Sequence, residues 1–292
     1  MFSRKELVVK RALFTLLYPS TQKYLCMSQI CTTFAPRIQI MAKTPEQIAL
    51  EKQRLRLTRR FRKACVDYGL LADGDHVLIG LSGGKDSLAL TELLGRQAQI
   101  YKPSIRVSAV YVSVENIGYA TDIEYLRSFC EALKVPFVHK TTKYDELPAE
   151  HRNKNHCFLC SWYRRKALFE AARKLGCNKI AFGHHRDDIL ETLLMNIVFG
   201  GNISTMPPRL QLDKMPLQII RPLCLIDESE IKHYAAMAGY RTQLKTCPFE
   251  YESTRSQTKN ILAQLSKLNP EVRDSLWAAM ENIKQNYLPQ KI

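Results

Sequence analysis

The sequence predicts an α/β fold: a doubly wound parallel sheet with an added N-terminal helix and C-terminal helices. Three observations lead there. Apolar runs of strand length alternate with amphipathic stretches of helix length from about residue 75 to residue 238. Alternation at that spacing belongs to a parallel sheet with helices on both faces. Two unusual turns, Ser82-Gly83-Gly84-Lys85-Asp86-Ser87 and Gly183-His184-His185-Arg186-Asp187-Asp188, each follow a predicted strand. Both should therefore open on the carboxyl edge of the sheet, where such folds hold ligands. Finally, 46% hydrophobic and 24% charged residues over 292 positions are ordinary for a globular protein, and no apolar run approaches the roughly 20 residues of a membrane helix.

Taken in order, residues 46–70 read as a basic amphipathic helix ending at Gly69. Asp75–Leu81, with Val77-Leu78-Ile79 at its centre, is the first strand, and the helix after the glycine turn runs to about Gln97. Ile105–Val112 alternates and is rich in Val, as a second strand should be. Asp122–Lys134 is a helix stopped by Pro136, Phe137–Thr141 a third strand, and residues 142–156 a loop. Cys157 opens a helix to about Leu175, with Gly176 as its cap, before a fourth strand at Asn178–Phe182. The helix after the second turn runs to Phe199 and ends at Gly200-Gly201. Residues 203–226 carry Pro207, Pro208 and Pro216 among short extended pieces. Asp227–Ala238 is a helix with Glu230 at capping-box spacing from Asp227 and Gly239 past its end. The tail from 252 to 287 holds two helices broken at Pro270.

Net charge is +15 and unevenly spread: residues 1–63 hold fourteen Lys or Arg against three Glu. The densest run, from Lys52 to Lys63, suggests a polyanionic partner, nucleic acid above all, against the alternative of a solvated helix face. The first forty residues are basic, hold one acid, Glu6, and show no clear periodicity. They read either as an organellar transit peptide or as an overlong start before Met41, and are expected to be poorly ordered or only locally helical. Nine cysteines without a secretory signal point to a reducing, cytoplasmic compartment.

The first turn sits where a helix start offers bare N–H groups to an anion and glycine admits close approach. It lacks both the Gly-x4-Gly-Lys-Ser/Thr and the Gly-x-Gly-x-x-Gly patterns. Cys157-Phe158-Leu159-Cys160 brings two thiols to metal-binding spacing, followed by Arg164-Arg165-Lys166, whose charge favours thiolate. Zinc, a redox dithiol and an iron–sulfur cluster all remain open for this pair. Cys247, in a loop before a helix, suits a third ligand, whereas Cys224 lies in an apolar run and Cys65, Cys130 and Cys177 read as core. The paired acids Asp187 and Asp188 sit at a helix start, where they either bind Mg²⁺ or simply cap the helix. His184 and His185 read as structural.

The turn at Ser82–Ser87 resembles that of the PP-loop ATP pyrophosphatases, a HUP-like, Rossmann-like superfamily. The order SGGKDS, CFLCSWYRRK, GHHRDD, MPPRL, IIRPL and TCP is similar to the tRNA 2-thiocytidine synthetase branch, over roughly residues 48–285. The resemblance implies an ATP-dependent sulfurtransferase that adenylates a cytidine of the tRNA anticodon loop, at position 32, and replaces its C2 oxygen with sulfur. It implies a poorly ordered leader over 1–45, a PP-loop domain over 46–251 and a C-terminal helical extension over 252–292. Ser82, Gly83, Gly84 and Ser87 would cradle phosphate, Lys85 would neutralise developing charge, and Asp86 would help position Mg²⁺ or a donor, with Asp187 of the second turn kept as a nucleotide-site candidate from its place at the helix start. Cys157, Cys160 and Cys247 would ligate a 4Fe-4S cluster, with a persulfide on the Cys157/Cys160 pair as the alternative sulfur carrier. The implied partners are tRNA, a cysteine desulfurase or other sulfur donor, and a second copy of the chain. Some members carry a further Cys three residues after the third, where this chain has Glu250.

Overall fold

The protein, seen as a computed structural model, is described over residues 43–115, 121–143, 156–241 and 254–289. The expectations for the leader, for nearly all of the loop 142–156 and for Cys247 lie outside these residues. The chain opens with α1 (Pro45–Asp67), whose Leu57, Phe61 and Ala64 are buried while Arg59 and Arg62 face outward. It ends just before Gly69, whose φ of +58° is the left-handed geometry glycine adopts without strain.

Then come β1 (His76–Gly80), α2 (Lys85–Gln97), β2 (Arg106–Val114), α3 (Ile123–Ala132) and β3 (Phe137–Thr142). These are followed by α4 (His156–Lys174), β4 (Lys179–Ala181), α5 (Arg186–Gly200), β5 (Arg209–Gln211), β6 (Gln218–Ile220) and α6 (Glu228–Met237). The tail forms α7 (Thr254–Leu268), α8 (Val272–Glu281) and a 3₁₀ turn at Gln285–Tyr287. The six strands lie in the order β3-β2-β1-β4-β6-β5. All pairs are parallel except β5 with β6. The short extended pieces read between 203 and 226 are that antiparallel edge.

β1 is central and pairs with β2 on one side and β4 on the other, Val77 facing Val107 and Lys179. Its apolar residues are buried on both faces, which is why the run reads as continuous hydrophobicity rather than alternation. Strand order reverses between β1 and β4, so a crevice opens at their carboxyl ends. The two turns singled out in the sequence are the segments that leave those two ends.

Two hydrophobic clusters cover the sheet. One holds Leu57, Phe61, Leu88, Leu94 and Ile231; the other holds Leu168, Ala171, Ala172 and Leu217. A third joins Leu190 and Leu194 of α5 to Leu262 of α7 and Val272 of α8, fixing the C-terminal helices beside the second turn. A buried motif ties the edge strands to that turn. Arg221 donates from its Nε to His184 Nδ1 at 3.3 Å and from Nη1 to the Pro207 carbonyl at 2.5 Å. This pairing joins Pro207 of MPPRL, Arg221 of IIRPL and His184 of the second turn.

Candidate active site at the switch point

Ser87, in the first turn of α2, closes the glycine turn on itself. Its hydroxyl donates to the Gly84 carbonyl at 2.9 Å and accepts from the Ser82 amide at 3.2 Å, with the Ser82 hydroxyl 3.1 Å away. Gly83 has φ +81°, which the tight bend requires. Gly84 is the N-cap of α2, and among the described residues no side chain caps that helix. The amides at the start of a 13-residue helix are thus left facing the crevice. The helix dipole favours an anion there, and a bare backbone leaves it room to approach.

The second turn presses directly on the first. A Cβ on Gly183 would stand 3.0 Å from the Asp86 carbonyl carbon and 3.0 Å from the Ser87 amide nitrogen. Glycine at 183 is therefore a packing requirement of the phosphate turn. His185 caps α5: its Nδ1 accepts from the Asp188 amide at 3.3 Å while Asp188 Oδ2 accepts from the His185 amide at 3.0 Å. His185 Nε2 lies 3.4 Å from Asp188 Oδ2 and 3.9 Å from Asp86 Oδ1.

Lys85 lies between two carboxylates, 3.1 Å from Asp86 and 3.1 Å from Glu228. Burial works against its charge, but Asp86 and Glu228 outweigh that and raise its pKa. Glu228 also holds Lys259 of α7 at 2.5 Å. Burial alone would raise the Glu228 carboxyl, yet Lys259 and Lys85 bring it down to about 2. Asp86 Oδ1 is buried and has no hydrogen-bond partner among the described residues. An unpartnered buried carboxylate oxygen beside a phosphate turn is what a substrate-bound cation would satisfy.

Asp187 is 4% exposed, and both its oxygens are engaged. Oδ2 accepts from the Glu228 amide at 2.8 Å and Oδ1 from Arg273 Nε at 2.7 Å. Its carboxylate thus brackets α5 to α6 and α8. No group of three or more His, Cys, Asp or Glu stands together as a metal site among the described residues. Glu228, Lys259 and Arg273 were not singled out in the sequence. Glu228 was read within a capping sequence, and Lys259 and Arg273 are ordinary basic positions of amphipathic helices.

Cys157 and Cys160 stand one turn apart at the start of α4, and Cys160 is buried. Burial pushes the thiols of Cys65, Cys130 and Cys224 up to about 12 and that of Cys177 to about 11. These four are poor thiolate donors, in keeping with their reading as core. On α1, Arg56 and Arg60 pair with Glu230 at 2.8 and 2.9 Å, so part of the basic run is spent within the fold. Among the described residues, Lys52, Arg59 and Arg62 stand exposed outside those pairs. No helix among the described residues is long and apolar enough to cross a membrane.

A PP-loop domain family matches residues 52–243. A tRNA-cytidine(32) 2-sulfurtransferase of Shewanella sp. (strain W3-18-1) is 35% identical over 239 residues, covering 80% of this chain and 76% of its own. Its counterpart in Geobacter sulfurreducens is 34% identical over 233 residues, covering 77% of this chain and 89% of its own. Among solved structures, the U34-tRNA thiolase NcsA from Methanococcus maripaludis, with its 4Fe-4S cluster, aligns with a TM-score of 0.66 at 26% identity. That alignment covers 82% of this chain and 84% of NcsA. With its glycine turn at the switch point and these relatives spanning most of its length, the chain belongs to the PP-loop family and, within it, to the tRNA-cytidine(32) 2-sulfurtransferases.

Proposed function

We propose that the protein uses ATP to replace the C2 oxygen of cytidine 32 in the tRNA anticodon loop with sulfur. The observation that carries this reading is the uncapped, glycine-lined start of α2 with Lys85 beside it, in a chain 35% identical to enzymes named for that reaction. The cytidine oxygen attacks the α-phosphorus of ATP, the bond to the bridging oxygen breaks, and pyrophosphate leaves. A sulfur nucleophile then attacks C2, the C2–O bond breaks, and AMP departs with the former carbonyl oxygen. The amides of the Ser82–Ser87 turn and Lys85 stabilise the charge that develops on the leaving pyrophosphate. These contacts tighten as the bond breaks, so they lower the barrier rather than merely binding substrate.

We assign Mg²⁺ to Asp86, whose Oδ1 is unpartnered among the described residues, together with the nucleotide's phosphates. Asp187, with both oxygens engaged, braces α6 and α8. We assign an iron–sulfur cluster to Cys157, Cys160 and Cys247; the thiols of Cys65, Cys130, Cys177 and Cys224 are raised by burial and suit a ligand poorly. When bound, a 4Fe-4S cluster supplies a place to carry sulfide. The exposed Lys52, Arg59 and Arg62 of α1 contact tRNA phosphates. We assign the protein to the cytoplasm and its sulfur to a cysteine desulfurase or another donor.

Anaerobically purified protein, given tRNA, ATP, Mg²⁺ and sulfide, should release AMP and pyrophosphate and yield thiolated cytidine by nucleoside mass spectrometry. A tRNA with uridine at position 32 should yield none. Cys157→Ser should lose iron and thiolation, whereas Cys224→Ser should keep its iron. Full thiolation by Cys157→Ser, or stoichiometric zinc in place of iron, would overturn the cluster assignment.

A further inference from the structure

Resting on the assignment of the glycine turn as the polyphosphate site, we propose that Lys259 on α7 is a second lysine of that site. In this proposal Glu228 holds the place between Lys85 and Lys259 that the nucleotide's phosphates take over.

The geometry is that of one anion shared by two cations. Glu228 Oε1 is 3.1 Å from Lys85 Nζ, and Oε2 is 2.5 Å from Lys259 Nζ. Two oxygens of a single carboxylate reach both ammonium groups, so an anion of similar span, such as a phosphoryl group, can do the same. Glu228 is held from behind: it is the first residue of α6, and its amide donates to Asp187 Oδ2 at 2.8 Å. Its side chain is thereby aimed across the crevice at the glycine turn.

Lys259 has little structural reason to be there. Its side chain is 55% exposed, and an ion pair at such exposure adds little to stability. What the pair does is hold an ammonium beside Lys85. The ε-ammonium on its flexible stem can follow a more highly charged anion when one arrives. Pyrophosphate and triphosphate carry more negative charge than one carboxylate, so both lysines should turn from Glu228 to phosphate oxygens. The C-terminal helices then complete the nucleotide site from the opposite side of the crevice, which gives them a part in the reaction beyond packing.

The test is titration of the full-length protein with inorganic pyrophosphate, with Mg·ATP and with AMP, each followed by calorimetry. Lys259→Met should weaken pyrophosphate and ATP about tenfold, or ~1.4 kcal/mol, and leave AMP unchanged. Lys259→Arg should restore pyrophosphate binding to within roughly twofold, since the charge is kept. Glu228→Gln, which removes the competing carboxylate, should tighten pyrophosphate. Wild-type pyrophosphate affinity in Lys259→Met would overturn the proposal, and so would an equal loss for AMP or weaker pyrophosphate binding by Glu228→Gln. If instead Lys85→Met binds pyrophosphate as well as wild type does, the assignment of the glycine turn itself is wrong, whatever Lys259 does.

Discussion

At the amino ends of β1 and β4, Lys179 and Asp75 sit 2.7 Å apart with 7% and 6% of their side chains exposed. At the carboxyl ends of the same two strands, Lys85 and Asp86 sit 3.1 Å apart with 30% and 28% exposed. The first pair is closed. Lys179 also donates to the Leu70 carbonyl, and Asp75 accepts from the Ala72 amide and from Asn178 Nδ2. The second pair is open: Asp86 keeps an oxygen without a hydrogen-bond partner among the described residues, and Lys85 is shared with Glu228. A buried ion pair whose hydrogen bonds are all met holds the fold, and removing one partner strands the other. A partly exposed pair with unmet valence does less for the fold and is available to a ligand. Concavity alone misleads here. An open hollow of about 470 Å³ lies at the amino end, lined by Asp75, Lys179, Arg209 and Gln218, while the reaction is assigned to the other end.

The largest expected effect probes the closed end. Lys179→Met should cost about 4 kcal/mol of stability, read by denaturant unfolding, while thiolation per folded molecule stays the same. Lost activity without lost stability would erase the contrast. At the open end Lys85→Met should do the reverse, lowering kcat/KM about a hundredfold, or ~2.7 kcal/mol, with a far smaller loss of stability than Lys179→Met.

Gly183→Ala should raise the KM for ATP about tenfold, or ~1.4 kcal/mol, because its methyl would press on the backbone that shapes the phosphate turn. Replacing Lys52, Arg59 and Arg62 together by Gln should weaken tRNA binding several-fold and flatten its salt dependence by roughly 2 in log–log slope, with ATP binding intact. Arg60→Gln should instead lower stability, because Arg60 holds Glu230 and the Leu225 carbonyl.

The smallest effect is on acid stability. Glu228 has its pKa lowered from 4.5 to about 2 in the folded protein, so it stabilises above pH 4.5 and loses that contribution as pH falls toward 2. The stability difference between wild type and Glu228→Gln, followed by thermal unfolding, should therefore shrink over that window. A difference that grows with acid would mean the carboxylate is not held by its lysines.

What the sequence determined by itself is local in origin. The strand runs, the helix stops at Gly69, Gly176 and Gly201, the capping box at Asp227 and the glycine turn all follow from periodicity and backbone chemistry within a few residues. Their order was enough to put both unusual turns on one edge of a parallel sheet. The burial of Cys224 was legible because it lies in an apolar run. What only the tertiary structure decided is which distant groups meet. Glu228, on α6, reaches Lys85, and Lys259 reaches Glu228 because α7 packs through Leu262 against Leu190 and Leu194 of α5. Asp187 has both oxygens engaged because α6 and α8 converge on it, and Arg56 and Arg60 are drawn inward by Glu230. A charge pattern along the chain shows how many charges there are. The packing of helices far apart in sequence settles which are paired and which remain for a ligand, since charge–charge energies depend on separation and burial and not on sequence order.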